Sequence, residues 1–164
     1  MANNIELSIL MGDAALDKGK RGGEFIEALG YTKLNIEGGD TDSGLQTQAY
    51  INKTTREIVV SIAGTGLNLG DMIADLDLIS PVTYHQQFYD GIEFANRVDN
   101  FISNIEKYSK YKVSFTGFSL GGAHAQLISH TYGWEGFSFD APRAGLKINT
   151  QGYLDQLENH MFAE

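Results

Sequence analysis

The chain has 164 residues, 12 basic and 21 acidic side chains, a formal charge of -9, 42% hydrophobic residues and no cysteine. That length supports one domain over 1–164 with a single core, and the acidic balance without a basic stripe argues against nucleic acid as a partner. With no cysteine there are no disulfides or thiolate metal sites, no run approaches the 18 apolar residues of a membrane span, and the first residues lack a signal peptide's basic start and apolar stretch, which points to the cytoplasm or a leaderless export route.

Taken in order, Ile5 to Leu16 reads as a helix with Ile5, Ile9, Leu10 and Leu16 near one face, ended by Gly19, Gly22 and Gly23. Lys18, Lys20 and Arg21 are the only close basic cluster in the sequence and read as a solvated loop. Phe25 to Leu29 is a short second helix stopped by Gly30. The stretch Gly38 to Gly44 is polar and glycine-rich; its aspartates lack the spacing and closing glutamate of a calcium loop, so it reads as a solvated turn.

Leu45, Thr47, Ala49 and Ile51 alternate as a strand near an edge would. Asn52 to Thr55 is a turn, and the nearly continuous apolar run Ile58 to Ala63 reads as a buried strand. That strand runs into Gly64-Thr65-Gly66, a tip placed like half of an oxyanion hole. Leu67 to Ser80 carries Leu69, Met72, Ile73 and Leu76 on one helical side and is stopped by Pro81; periodicity fits either a core-packed helix or a cover over an apolar pocket. Phe88 to Tyr108 holds Phe88, Ile92, Ala95, Val98, Ile102 and Ile105 at spacings of three or four, a long amphipathic helix.

The chemistry concentrates between Tyr111 and His124. Val113 and Phe115 alternate with polar neighbours as in a strand, Gly117-Phe118-Ser119-Leu120-Gly121 turns sharply, and a helical pattern follows. This is a G-x-S-x-G nucleophile elbow, whose glycines are needed because side chains flanking the serine would strike backbone. Ser119 is the expected nucleophile, and the N–H of Leu120 points where an oxyanion would form. Gly133 ends the helix, and Gly136 to Asp140 reads as the next strand before Ala141-Pro142-Arg143-Ala144-Gly145. Strands alternating with helices predict an α/β fold of three layers around a largely parallel sheet.

Five blocks in this order resemble the class 3 lipases of the α/β-hydrolase superfamily, the fungal triacylglycerol lipase type. Ile58 to Thr65 is similar to that family's strand ending in Arg-Gly-Ser/Thr, with Ala63 at the arginine; Asp71 to Leu78 is similar to its Asn-Trp-Ile-Ala-Asp-Leu. Tyr84 to Asp90 is similar to Val-His-x-Gly-Phe, Thr116 to Ala123 resembles Thr-Gly-His-Ser-Leu-Gly-Gly-Ala, and Ala141 to Gly145 resembles Gly-x-Pro-Arg-Val-Gly. The resemblance implies Ser119 as nucleophile, Thr65 and Leu120 as oxyanion donors, Leu67 to Leu78 as an interfacial lid, a lipid or ester substrate and no cofactor or metal. Phe118 stands where the family usually has His.

In the family the catalytic Asp and His follow the Pro-Arg-Val-Gly block, whereas only 45 residues follow Ser119 here. The domain is therefore expected to be the N-terminal portion of the family's, with an exposed sheet edge that self-associates or takes a complementing C-terminal fragment. His124 lies about 7.5 Å along the helix from Ser119 and about 140° around it, out of reach. His130 is farther along, and His85 reads as structural. Asp140 and His160 complete the superfamily's Ser, Asp, His order as an improvised triad. Two readings stand: a serine ester hydrolase of the lipase or phospholipase kind working through an acyl-enzyme, or an incompetent lipase-like binding protein without acid and base.

Overall fold

The computed structural model describes residues 2–16, 18–65, 81–139 and 141. The lid stretch Leu67 to Leu78, Asp140, His160, the segment Gln151 to Met161 and the block from Pro142 to Gly145 lie outside the described residues.

Five strands form one sheet in the order β1 (Thr32–Lys33), β2 (Leu45–Asn52), β3 (Glu57–Thr65), β4 (Lys112–Phe118), β5 (Glu135–Phe139). β1 and β2 pair antiparallel, as do β2 and β3, while β3, β4 and β5 run parallel. The antiparallel β2–β3 pair turns through residues 53–56, where the Asn52 carboxamide oxygen accepts from the N–H groups of Thr54 and Thr55 at 3.0 and 3.1 Å and Arg56 adopts φ 59°. Parallel pairs need longer crossovers. The helices α1 (Asn4–Ala14), α2 (Glu24–Ala28), α3 (Pro81–Ser103) and α4 (Leu120–Tyr132) supply the outer layers, and α4 is the crossover between β4 and β5.

Alternate residues of β3 build the two cores. Ile58, Val60 and Ile62 join Phe88, Phe94, Ala95 and Val98 of α3 and Ala123, Leu127 and Ile128 of α4. Val59 faces the other way, with Tyr31, Tyr50 and the α1 and α2 residues Leu7, Leu10 and Ile26. The three-layer α/β architecture with a mainly parallel site-bearing half is thus the one the sequence pattern predicts.

Several local expectations are corrected. β2 does lie next to the sheet edge, with only the two-residue β1 outside it, but seven of its eight residues are buried instead of alternating. Pro81 does not only stop what precedes it; it is the first residue of α3, where the missing N–H costs nothing. α3 ends at Ser103, and Glu106–Tyr108 is a separate 3-10 turn. In α1 the buried face is Leu7, Leu10, Asp13 and Ala14, while Ile5 is 72% exposed. Asn3 fixes that register through a capping box: its side chain accepts from Ile5 and Glu6 N–H, and Glu6 accepts from the Asn3 N–H at 2.8 Å.

The basic cluster and the glycine-rich stretch are not simply solvated either. Arg21 is buried, pairs with Asp40 at 2.5 Å, and donates to the carbonyls of Leu16 and Thr47. Asp13 accepts from Tyr50 Oη at 2.5 Å and from the Gly22 N–H at 2.9 Å. On the other side of the stretch, Gln87 donates to the Ser43 carbonyl at 2.7 Å and Ser43 Oγ donates to Asp90 at 2.5 Å, which ties the stretch to α3. The loops around Gly22 and Gly38 are thereby anchored by charge-assisted bonds.

Candidate active site

The elbow forms where β4 hands over to α4. Ser119 holds φ 50° and ψ -123°, a combination an L-residue avoids, and it is one of two described non-glycine residues with positive φ. Such a residue costs about 1–3 kcal/mol and persists only where its surroundings dictate it. The surroundings here are specific. The Ser119 N–H donates to the Phe139 carbonyl at 2.9 Å, binding the elbow to the end of β5, and the Ser119 carbonyl accepts from Ala123 N–H at 3.1 Å. A Cβ on Gly117 would lie 2.3 Å from the Gly121 carbonyl oxygen, and one on Gly122 would lie 2.7 Å from Ala141 Cβ and 2.9 Å from the Gly117 oxygen. Gly117, the first glycine of the motif, and Gly122 beyond it are required by the close approach of strand, turn and helix.

Ser119 also makes no side-chain capping bond to α4, so its hydroxyl is not spent on the helix N-terminus. The N–H groups of Leu120, Gly121 and Gly122 precede the first intrahelical bond of α4, and together with the helix dipole they favour negative charge beside the serine. Ile62 of β3 pairs with Gly117 of β4, and β3 continues to Thr65, so Thr65 ends its strand on the same side of the sheet as the elbow. This register brings the backbone of Thr65 and Leu120 to the same end of neighbouring strands. Gln126 of α4 donates to Ser138 Oγ of β5 at 2.8 Å and holds that helix against its outgoing strand. At the far end of α4, Gly133 caps the helix with φ 65°.

The described histidines stay away from proton transfer at Ser119. His124 is wholly buried in α4 with its ring centroid 6.3 Å from that of Phe88, and desolvation pushes it down to about 3, so it is neutral at ordinary pH. His130 is exposed in the last turn of α4. His85 lies in the first turns of α3, and its side chain is outside the described residues. Phe118, in place of the expected His, is half-buried at the end of β4. The packing of Ala141 and Ser138 onto Gly122 had no sequence signal beyond a run of small residues.

Solved structures of fungal lipases share this fold. The nonglycosylated Lip2 lipase of Yarrowia lipolytica matches with a TM-score of 0.61 and 18% identity over 81% of this chain and 55% of its own. The Rhizomucor miehei lipase propeptide complex matches at 0.60 and 16% over 87% and 55%, and the lipase of Rhizopus microsporus var. chinensis at 0.60 and 15% over 87% and 60%. This chain therefore spans little more than half the length of those proteins. No curated protein sequence matches it. Residues 50–143, more than half of the chain, match the family model for lipase (class 3), and the chain belongs to that family.

Proposed function

We propose that this chain carries the nucleophile of a serine carboxylic-ester hydrolase of the lipase or phospholipase type. The observation that carries the reading is the strained Ser119, held at φ 50° between a strand and a helix N-terminus. In this reading the Ser119 hydroxyl attacks the ester carbonyl and loses its proton to a base. Leu120 N–H and Thr65 stabilise the tetrahedral oxyanion, the alcohol leaves with a proton, and water clears the acyl-enzyme. Asp140 and His160 are the acid and base candidates of this chain. Leu67 to Leu78, with four apolar side chains beside three aspartates, is the proposed lid, and the charge of -9 favours neutral or zwitterionic lipid surfaces. The outer edge of β5, unpaired among the described strands, is the proposed place for self-association or for a complementing segment.

A second reading is a lipase-like binding protein without turnover. It is favoured by the full burial of His124, the histidine next along the chain from Ser119. A fluorophosphonate probe separates the two. Fast stoichiometric labelling of Ser119 that is lost in His160→Ala supports the hydrolase with its triad in this chain. Slow labelling that is insensitive to His160→Ala supports the binding protein, since oxyanion stabilisation alone leaves some reactivity. Labelling that survives Ser119→Ala overturns the nucleophile assignment.

A further inference from the structure

The end of the sheet opposite Ser119 carries a charge pattern that the elbow does not use. The β2–β3 turn brings Lys53 and Arg56 beside the segment that leads into β4, because the Lys112 N–H donates to the Arg56 carbonyl at 3.0 Å. Between them lies a cleft of about 520 Å³ lined by Lys53, Arg56, Glu106, Lys107, Lys110 and Tyr111. Four cations face one carboxylate there, in a chain whose overall charge is -9. None of the four is ion-paired among the described residues; the pairs formed by arginine elsewhere are Arg21 with Asp40 and Arg97 with Glu93.

Like charges gathered in a concave site repel one another and focus a positive potential, and that arrangement becomes favourable when an anion occupies it. The ammonium and guanidinium groups supply only donors, and the phenol hydroxyl can add another, all suited to phosphate oxygens. The turn that presents two of the cations is built rather than loose, with Asn52 bonding two of its N–H groups and Arg56 held at φ 59°. Tyr111 is fixed from behind by edge-on packing against Tyr108, whose ring stacks on Phe101.

We infer that this cleft binds a small, multiply charged phosphate-type anion, of diphosphate size or larger, from solution. Anionic lipid headgroups offer the same chemistry. The seven residues of β4 separate the cleft from the elbow by about 23 Å along the strand. A bilayer docked at the cleft would hold Ser119 away from its surface, which assigns the site to a soluble ligand. That choice of source rests on the proposed hydrolase reading; the binding of a phosphate-type anion does not.

The test is calorimetric titration of the full chain with inorganic diphosphate at low salt, with cosedimentation on phosphatidylcholine vesicles with and without phosphatidylserine as the second arm. Binding of diphosphate that weakens steeply with salt, about tenfold or more in Lys107→Gln/Lys110→Gln, and tightens about threefold in Glu106→Gln, is the expected result. All three substituted side chains are exposed, so the variants keep the fold. Circular dichroism verifies that directly. Absence of diphosphate binding, binding unchanged in the double variant, or retention on phosphatidylserine vesicles without diphosphate binding each overturns the assignment.

Discussion

The two faces of the sheet are held by different physics. Under α3 and α4 the described core is a continuous set of eighteen buried apolar residues, with Phe88 and Phe115 among its largest side chains. Under α1 and α2 only seven buried apolar residues cluster, and the remaining interior is polar: Asp13 with Tyr50, Arg21 with Asp40, and the hydroxyls of Ser61 and Thr116, neighbours in register across β3 and β4. The first face gains stability from area removed from water. The second trades area for specificity, since its hydrogen bonds fix the loops that lead into β1 and β2 while contributing less net energy each. Burial there pushes the Tyr50 phenol up, helped by its bond to Asp13 and the charge of that carboxylate, and Tyr31 is raised to about 12 by burial and by Glu6.

The sharpest way to break this contrast is to remove the large side chain on the apolar face. Phe88→Ala is expected to cost about 3–5 kcal/mol in urea unfolding, because Phe88 is fully buried and its loss leaves a cavity beside His124. Tyr50→Phe on the polar face keeps the ring and loses one bond to a carboxylate, for an expected cost of about 1.5–3 kcal/mol. If it destabilises more than Phe88→Ala, the ranking of the faces is reversed. The smallest change is expected where no bond exists to lose. Among the described residues Ser61 Oγ and Thr116 Oγ1 are buried with no hydrogen-bond partner, so Ser61→Ala and Thr116→Val each relieve a desolvation cost. Each should be neutral or stabilising by up to about 1 kcal/mol. A clear loss of stability in either would show that the hydroxyl is bonded in solution.

What the sequence made legible follows the same division. Rules that act within a few residues read well: the elbow around Ser119, the αL cap at Gly133, the turn after Asn52 and the apolar stripe of α3 are each encoded by local spacing. Long-range pairing was not visible. β1 is two residues long and has no pattern of its own, so nothing in the sequence showed which strand lies outside Leu45 to Asn52. The face of α1 is chosen by its cap and by the sheet beneath it, since its apolar residues lie all round the helix. Arg21 could not be recognised as buried until Asp40, nineteen positions away, was seen beside it. The basic cleft is assembled from residues near 53–56 and 106–111, which look like scattered surface lysines when read in line. At the candidate site Ser119 and the close-packed Gly117 beside it were legible. An acid and a base to partner Ser119 were not, because long-range structure rather than a local motif places such residues.

The order of the sheet has a further consequence for how the molecule is made. Among the described residues, strands lie across it in the order in which they leave the ribosome, β1 through β5, with no later strand inserted between earlier ones. Each strand therefore emerges to find its neighbour already synthesised, and assembly can proceed as addition at one growing edge. The strand most open to unwanted pairing is always the newest. The surface that needs a chaperone's protection thus moves along the nascent chain with translation, ahead of each strand that closes it.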